Sequence, residues 1–447
     1  MSRSLLWLIA LTVMAFAVGH SGALAAEVSQ EATTALAQPA PVSSGIIVPV
    51  PVPTASPQAI RLYRSGNVLW IVSTVWGFVV PALIFFTGFS SRLRDLAQRI
   101  HPRWYLSLVI YLVFFAFVLF FANLPLDYYS GFLRPHDYGL SSQTLAKWLR
   151  DEFLTLAIGI IGGSLVLWIP FLLLKHARKR WWLYTWFASI PILVLITFVE
   201  PIWVDPLFNH FGPMQDKALE TRILSLASRA GIEGANVYEV NKSVDTNELN
   251  AYVTGIGGTK RIVLWDTTLK EFNPDEVALV MSHEMGHYAL GHAWKGIVVE
   301  SFVLLIGLWV VHICVDWMIR RFGARTGVHE IGDFASLPLF MLTFSAVVFL
   351  LMPPLLVVSR DYEHEADRFG LEMTHENHSC ALVFVKFVQH DLAYPNPSPL
   401  VEFFRWSHPS LGDRINFCNT YHPWLQGQEG RYSGYFQPMA GDQRPVR

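Results

Sequence analysis

The 447-residue chain is 52% apolar, only 15% charged, and carries a formal net charge of −2. A soluble domain holds about a quarter charged residues, so this composition excludes an ordinary soluble protein and points to lipid. The near-neutral balance gives no footprint for nucleic acid. With Cys314, Cys380 and Cys418 and no CxxC, the sequence carries no signal for a cysteine-based zinc site.

Arg3, the apolar stretch from Leu5 to Val18 and Ala23-Leu24-Ala25 read as a secretory signal peptide over residues 1–25. An uncleaved signal anchor is the other reading. Residues 26–60 are Pro-rich, with Pro49, Pro51 and Pro53 alternating, and predict an extended, disordered linker.

Six apolar runs follow, at 68–87, 104–122, 153–174, 183–204, 296–319 and 335–358. Each approaches the ~20 residues a helix needs to cross hydrocarbon. The first four form a transmembrane region over 61–204, and the last two a pair over 296–358. Basic residues set the orientation. Arg92, Arg94, Arg99 and Arg103 follow the first run, Lys175, Arg178, Lys179 and Arg180 the third, and Arg320, Arg321 and Arg325 the fifth. Those loops belong inside, with Trp181, Trp182 and Trp203 as interfacial belts. Residues 205–295 and everything after Arg360 then lie on the outer side, the periplasm of a Gram-negative cell.

Segment 205–295 reads as a mixed α/β unit. Leu219, Ile223, Leu224 and Ala227 have helical spacing, while 236–240 and 252–264 are rich in β-branched and aromatic residues. Gly255, Gly257 and Gly258 interrupt the second stretch.

The strongest motif is His283-Glu284-Met285-Gly286-His287. Asn273 as N-cap, Pro274 at the first position and acidic Asp275 and Glu276 start a helix ahead of it. Residues four apart share a helix face, so both imidazoles can hold one Zn²⁺, with Glu284 placed as general base. On such a helix, continued past the motif, His292 lies about half a turn away and faces elsewhere, as an interfacial residue.

A catalytic zinc takes a third protein ligand and keeps one open position. Within 359–425, Asp361-Tyr362-Glu363-His364-Glu365-Ala366-Asp367 offers Glu363 as ligand and Asp367 as the carboxylate behind a zinc-bound histidine. His364 and Glu365 are rival ligands, and a solvated acidic first turn is the plain alternative. Cys380 and Cys418 pair if they face an oxidising compartment. Residues 426–447 read as a flexible tail.

Together, Asp205-Pro206-Leu207-Phe208-Asn209, Asn250-Ala251-Tyr252, the run from Gly257 to Leu264, the HExxH helix and Ser359-Arg360-Asp361-Tyr362-Glu363 with Ala366-Asp367 resemble the type I CAAX prenyl endopeptidases and HtpX-like membrane metallopeptidases. The resemblance spans roughly 68–415. It implies Glu363 as third ligand and Asp367 behind it. It also implies an edge strand at Asn250, Ala251 and Tyr252 that binds the substrate backbone by β-augmentation. The late Ser407-His408-Pro409 is similar to the family's His-Pro motif and implies His408 as an oxyanion donor, with Arg414 orienting it or the substrate carbonyl.

The expected fold is a membrane α-helical bundle of six or seven helices with an α+β, gluzincin-like HExxH unit. The expected function is hydrolysis of peptide bonds in peptides or misfolded membrane and periplasmic proteins, with one Zn²⁺ per chain. CAAX-type processing of lipidated C-terminal peptides is one alternative. A non-enzymatic membrane chaperone or binding protein with structural zinc is another.

Overall fold

The structure, a computed structural model, describes residues 49–437 except 256. The expected signal peptide, and with it any seventh helix, lies outside the described residues.

Six helical stretches among the described residues are long and apolar enough to cross a membrane. They are α1 (Pro57–Phe86), α3 (Trp104–Asp127), which runs on through a π-turn, α4 (Leu145–Val166) with α5 (Trp168–His176), α6 (Trp181–Val199), α9 (His292–Thr326) and α10 (Leu337–Thr374). A short amphipathic helix, α2 (Phe89–Ile100), carries the basic residues after α1. Val68, Ile71, Val75 and Leu83 on α1 stay exposed, as lipid-facing residues do, while Phe85, Leu108, Tyr111, Leu112 and Phe115 fill the bundle core. Trp181 belongs to that core: it is 1% exposed and stacked on Phe340. An interfacial place was expected for it, but the N-terminal end of α6 packs on α10 instead of ending at lipid.

Contacts between loops separate the two faces. Arg94 of α2 pairs with Asp333, between α9 and α10. On the opposite face Lys147, at the start of α4, pairs with Asp245 of the polar segment at 2.6 Å.

The polar segment builds a four-stranded sheet from β1 (Phe211–Pro213), β2 (Asn236–Val240), β3 (Ala251–Thr254) and β4 (Arg261–Trp265), in the order β1-β2-β4-β3. β2 and β4 run parallel, and β3 lies antiparallel to β4 with Tyr252 opposite Val263. Helix α7 (Lys217–Arg229) is N-capped by Asp216 and buries Leu219, Ile223 and Ala227 against this unit. The second core joins Ile262 and Leu264 to Met281 and Met285 of α8 (Pro274–Ala289), and to Phe369 and Cys418.

Helix α10 links the two layers. Its 38 residues span roughly 57 Å at 1.5 Å per residue, far more than the ~30 Å of hydrocarbon. Its C-terminal half therefore leaves the apolar layer as part of the polar unit. Beyond it, α11 (Asn377–His390), α12 (Pro399–Arg405) and α13 (Leu411–Thr420) complete that unit. Cys380 and Cys418 form a disulfide between α11 and α13, with Cα atoms 5.7 Å apart.

Two segments read as linker and tail make specific contacts where they are described. Val50 exchanges two backbone hydrogen bonds with the Asn419 side chain. Tyr432 is buried against Phe369, and the Glu372 carboxylate accepts from the backbone N–H groups of Arg431 and Tyr432.

Candidate active site

Helix α8 starts where its chemistry says it should. The Asn273 side chain accepts from the N–H groups of Asp275 and Glu276, and Glu276 returns a bond to the Asn273 N–H. This reciprocal cap fixes the first turn. Two turns later His283 and His287 present neighbouring rings, with Nε2 atoms 3.1 Å apart.

The third group comes from α10. Glycine allows the two helices to approach closely. A Cβ on Gly370 would lie 3.1 Å from the His283 N, and one on Gly286 would lie 3.0 Å from the Phe369 Cβ. Glu363 thereby reaches both rings: its Oε2 is 3.4 Å from His283 Nε2 and its Oε1 is 3.4 Å from His287 Nε2. Glu363 Oε2 is buried without a hydrogen-bond partner.

This donor set fits a metal. Tetrahedral zinc with bonds of about 2.0–2.1 Å spaces its ligands roughly 3.3–3.4 Å apart, close to the three separations observed here. Among the described residues, His283, His287 and Glu363 are the group whose donor atoms gather in this way. Glu284 lies alongside, with Oε1 4.0 Å from His283 Nε2. Burial holds its carboxyl above the usual carboxylate range, against the pull of the two histidines.

Asp367 stands behind His283, with Oδ1 2.9 Å from Nδ1. Arg414 was expected to act on His408 or on a substrate carbonyl. Its guanidinium instead donates from Nε and Nη2 to both Asp367 oxygens, at 2.9 and 2.6 Å. A buried carboxylate from another helix is the stronger partner for this buried fork. His408 keeps its side chain 50% exposed, with Nε2 3.3 Å from Glu363 Oε1.

His292 corrects the sequence reading. The helix does not continue past the motif. It ends at Ala289 with Leu290 as its C-cap, and Gly291 turns the chain with φ of 69° before α9 begins at His292. His292 is thereby brought back, with Nδ1 2.8 Å from His287 Nδ1 and Nε2 3.3 Å from Glu365 Oε2. The signal in the sequence was Gly291, which favours a left-handed break. Neither rival ligand joins the donor cluster. Glu365 also accepts from the Tyr432 hydroxyl, and His364 packs on the Phe417 ring.

Asn250, Ala251 and Tyr252 lie at and just before the start of β3, the edge strand next to α8. The Trp265 N–H donates to the Asn250 carbonyl. By antiparallel alternation Tyr252 then faces β4, and the backbone groups of Ala251 and Val253 point to the open edge. The Asn250 side chain caps the Ala251 N–H. The Tyr252 hydroxyl donates to Asp205.

Two family models match the chain: CAAX prenyl protease N-terminal, five membrane helices, over residues 62–210, and peptidase family M48 over residues 213–421. The chain is 35% identical to the uncharacterized metalloprotease YhfN of Bacillus subtilis, over 78% of this chain and 82% of that one. It is 28% identical to CAAX prenyl protease 1 of Saccharomyces cerevisiae, over 66% and 68%. The crystal structure of Ste24p from S. mikatae superposes with a TM-score of 0.70 at 22% identity, covering 80% of this chain and 87% of that one. That likeness speaks for the fold.

Proposed function

We propose that this chain, which belongs to peptidase family M48, is a zinc endopeptidase acting on peptides or misfolded membrane and periplasmic proteins at the outer face of a bacterial inner membrane. It is an integral membrane metalloendopeptidase. The observation that carries the zinc reading is the convergence of His283, His287 and Glu363 on one point, with Glu284 beside it.

His283, His287 and Glu363 would hold the ion. When bound, zinc supplies a Lewis acid and lowers the pKa of its water toward about 7. Glu284 accepts the proton of the attacking water and passes it to the leaving amine, a task helped by the burial that holds its carboxyl above the usual carboxylate range. Asp367 holds the His283 ring with Nε2 turned to the ligand cluster, and Arg414 holds Asp367. His408, half-exposed beside Glu363, would donate to the oxyanion once substrate is bound. The open edge of β3 binds the substrate backbone as an added strand, with little demand on its sequence.

Two observations favour an oxidising outer compartment. The catalytic unit contains the Cys380–Cys418 disulfide, which suits a periplasmic side. The basic loops at Arg92–Arg103, Lys175–Arg180 and Arg320–Arg325 all lie on the other face.

A second reading, processing of lipidated C-terminal peptides, is favoured by the names of several relatives, including CAAX prenyl protease 1 of yeast. One experiment addresses both. Wild type and Glu284→Gln are purified in detergent, their zinc is counted, and each is assayed on an unstructured peptide and on a prenylated one. We expect one zinc in each protein and a mutant slower by about 10²–10⁴-fold. Equal rates would remove Glu284 from the mechanism. Cleavage of the prenylated peptide alone moves the function to the second reading.

A further inference from the structure

Away from the catalytic cluster, two arginines meet at the outer end of α1 without an acidic partner. Arg134, just beyond α3, is 3% exposed. Its Nη2 donates to the Leu62 carbonyl at 2.8 Å and its Nε to Ser65 Oγ at 3.3 Å, and Tyr138 covers its face. Arg405 ends α12, donates to the Asn67 side chain and lies over the Trp70 ring. The two guanidinium groups crowd one spot. A Cβ on Gly66 would lie 3.2 Å from Arg134 Nη2 and 3.8 Å from Arg405 Nη2. Tyr129 and Tyr138 act electrically on Arg134, and Tyr63 and Arg134 on Arg405, and among the described residues neither arginine forms an ion pair with a carboxylate. Burial, with the Arg134 charge behind it, holds Arg405 below its ordinary pKa. With Arg134 buried and Arg405 half-buried beside it, an anion held between the two guanidinium groups would offset their mutual repulsion and the loss of water around them.

The position on α1 indicates which anion. Residues up to Asn67 include exposed Arg61 and Arg64. Val68, Ile71 and Val75, at 61%, 55% and 54% exposed, begin the lipid-facing stretch immediately after. Gly66 thus sits where headgroups meet hydrocarbon, with Trp70 as the kind of aromatic found there. We propose that Arg134 and Arg405 form a binding site for the phosphate of a phospholipid headgroup, between α1, the turn after α3 and α12. Guanidinium groups suit this ligand because their N–H forks match phosphate oxygens, and basic pockets between membrane helices take headgroups in this way. The site touches the catalytic unit as well. On α10, one turn before Glu363, Arg360 donates to the Glu402 and Trp406 carbonyls that flank Arg405.

The test uses full-length protein, delipidated in detergent. Thermal melting and native mass spectrometry are recorded with added phosphatidylglycerol, and separately with inorganic phosphate, for wild type, Arg405→Gln, Arg405→Lys and Arg134→Gln. We expect one phospholipid retained per wild-type chain and a melting temperature that rises with it. Apparent affinity should fall at least about tenfold in Arg405→Gln and less in Arg405→Lys, which keeps the charge. If Arg134→Gln fails to fold, the Arg405 pair still decides the outcome. Equal lipid affinity in wild type and Arg405→Gln overturns the site. Stabilisation by inorganic phosphate without any by phosphatidylglycerol overturns the headgroup as its ligand.

Discussion

His292 Nδ1 stands 2.8 Å from His287 Nδ1, and its far nitrogen faces Glu365. One proton order satisfies this chain with both rings neutral. His287 donates from Nδ1, leaving Nε2 free to bind a metal, and His292 donates from Nε2 to Glu365. Partners of this kind fix the tautomer and the ring, and losing one typically costs about 10–100-fold in metal affinity. His292→Ala should therefore weaken zinc by that order in a chelator competition, while His292→Gln recovers part of the loss. Unchanged affinity in the alanine variant would sink the role.

Arg414 and Asp367 form a buried fork, with Arg414 the sole guanidinium hydrogen-bonded to that carboxylate among the described residues. Removing one member of a buried pair strands the other, at a cost of about 3–5 kcal/mol. Arg414→Ala should lower unfolding stability by that order, together with kcat. Arg414→Lys should rescue little, because one ammonium cannot occupy both oxygens in the plane. A lysine variant with wild-type stability would show that charge alone suffices.

What the sequence made legible was local. The cap at Asn273, the shared face of His283 and His287 and the extent of β2 depend on neighbours a few residues away, and these can be read directly. Glu363 was one of three carboxylate or imidazole candidates until the resemblance favoured it, because its place depends on how α10 crosses α8. His292 was misplaced by carrying a helix through Gly291. The partner of Arg414 and the pairing of Cys380 with Cys418 join separate helices, and no periodicity encodes them. The length of α10 was hidden as well, since its apolar run stops well before the helix does.

The crossing of α8 and α10 gives a prediction about backbone rather than ligands. A methyl group on Gly370 would press on the His283 N at 3.1 Å and its Cα at 3.4 Å. Backbone in the middle of a capped helix gives way poorly, so the helices must part by a few tenths of an ångström. Gly370→Ala should fold, since alanine favours helices by about 1 kcal/mol over glycine. It should nevertheless bind zinc more weakly, because Glu363 is drawn away from both rings. Thermal melting of the metal-free protein and a zinc titration separate the two effects. Wild-type zinc affinity in a folded Gly370→Ala protein would mean that the crossing does not set the site.

The edge strand supplies a test of substrate binding that leaves the ligand cluster untouched. By alternation the Val253 N–H points away from β4, toward the open edge. Proline there removes one outward donor and no ladder bond, and edge positions are where strands tolerate proline. If peptides bind by adding a strand, Val253→Pro should raise KM about tenfold, the worth of one main-chain hydrogen bond of roughly 1–1.5 kcal/mol. Its zinc content and melting temperature should stay close to those of wild type. Tyr252→Pro is the paired control, because its N–H faces β4 and its loss should lower stability instead. Equal KM for wild type and Val253→Pro would place the substrate backbone elsewhere, whereas a raised KM in a protein with intact zinc and melting would locate it along β3.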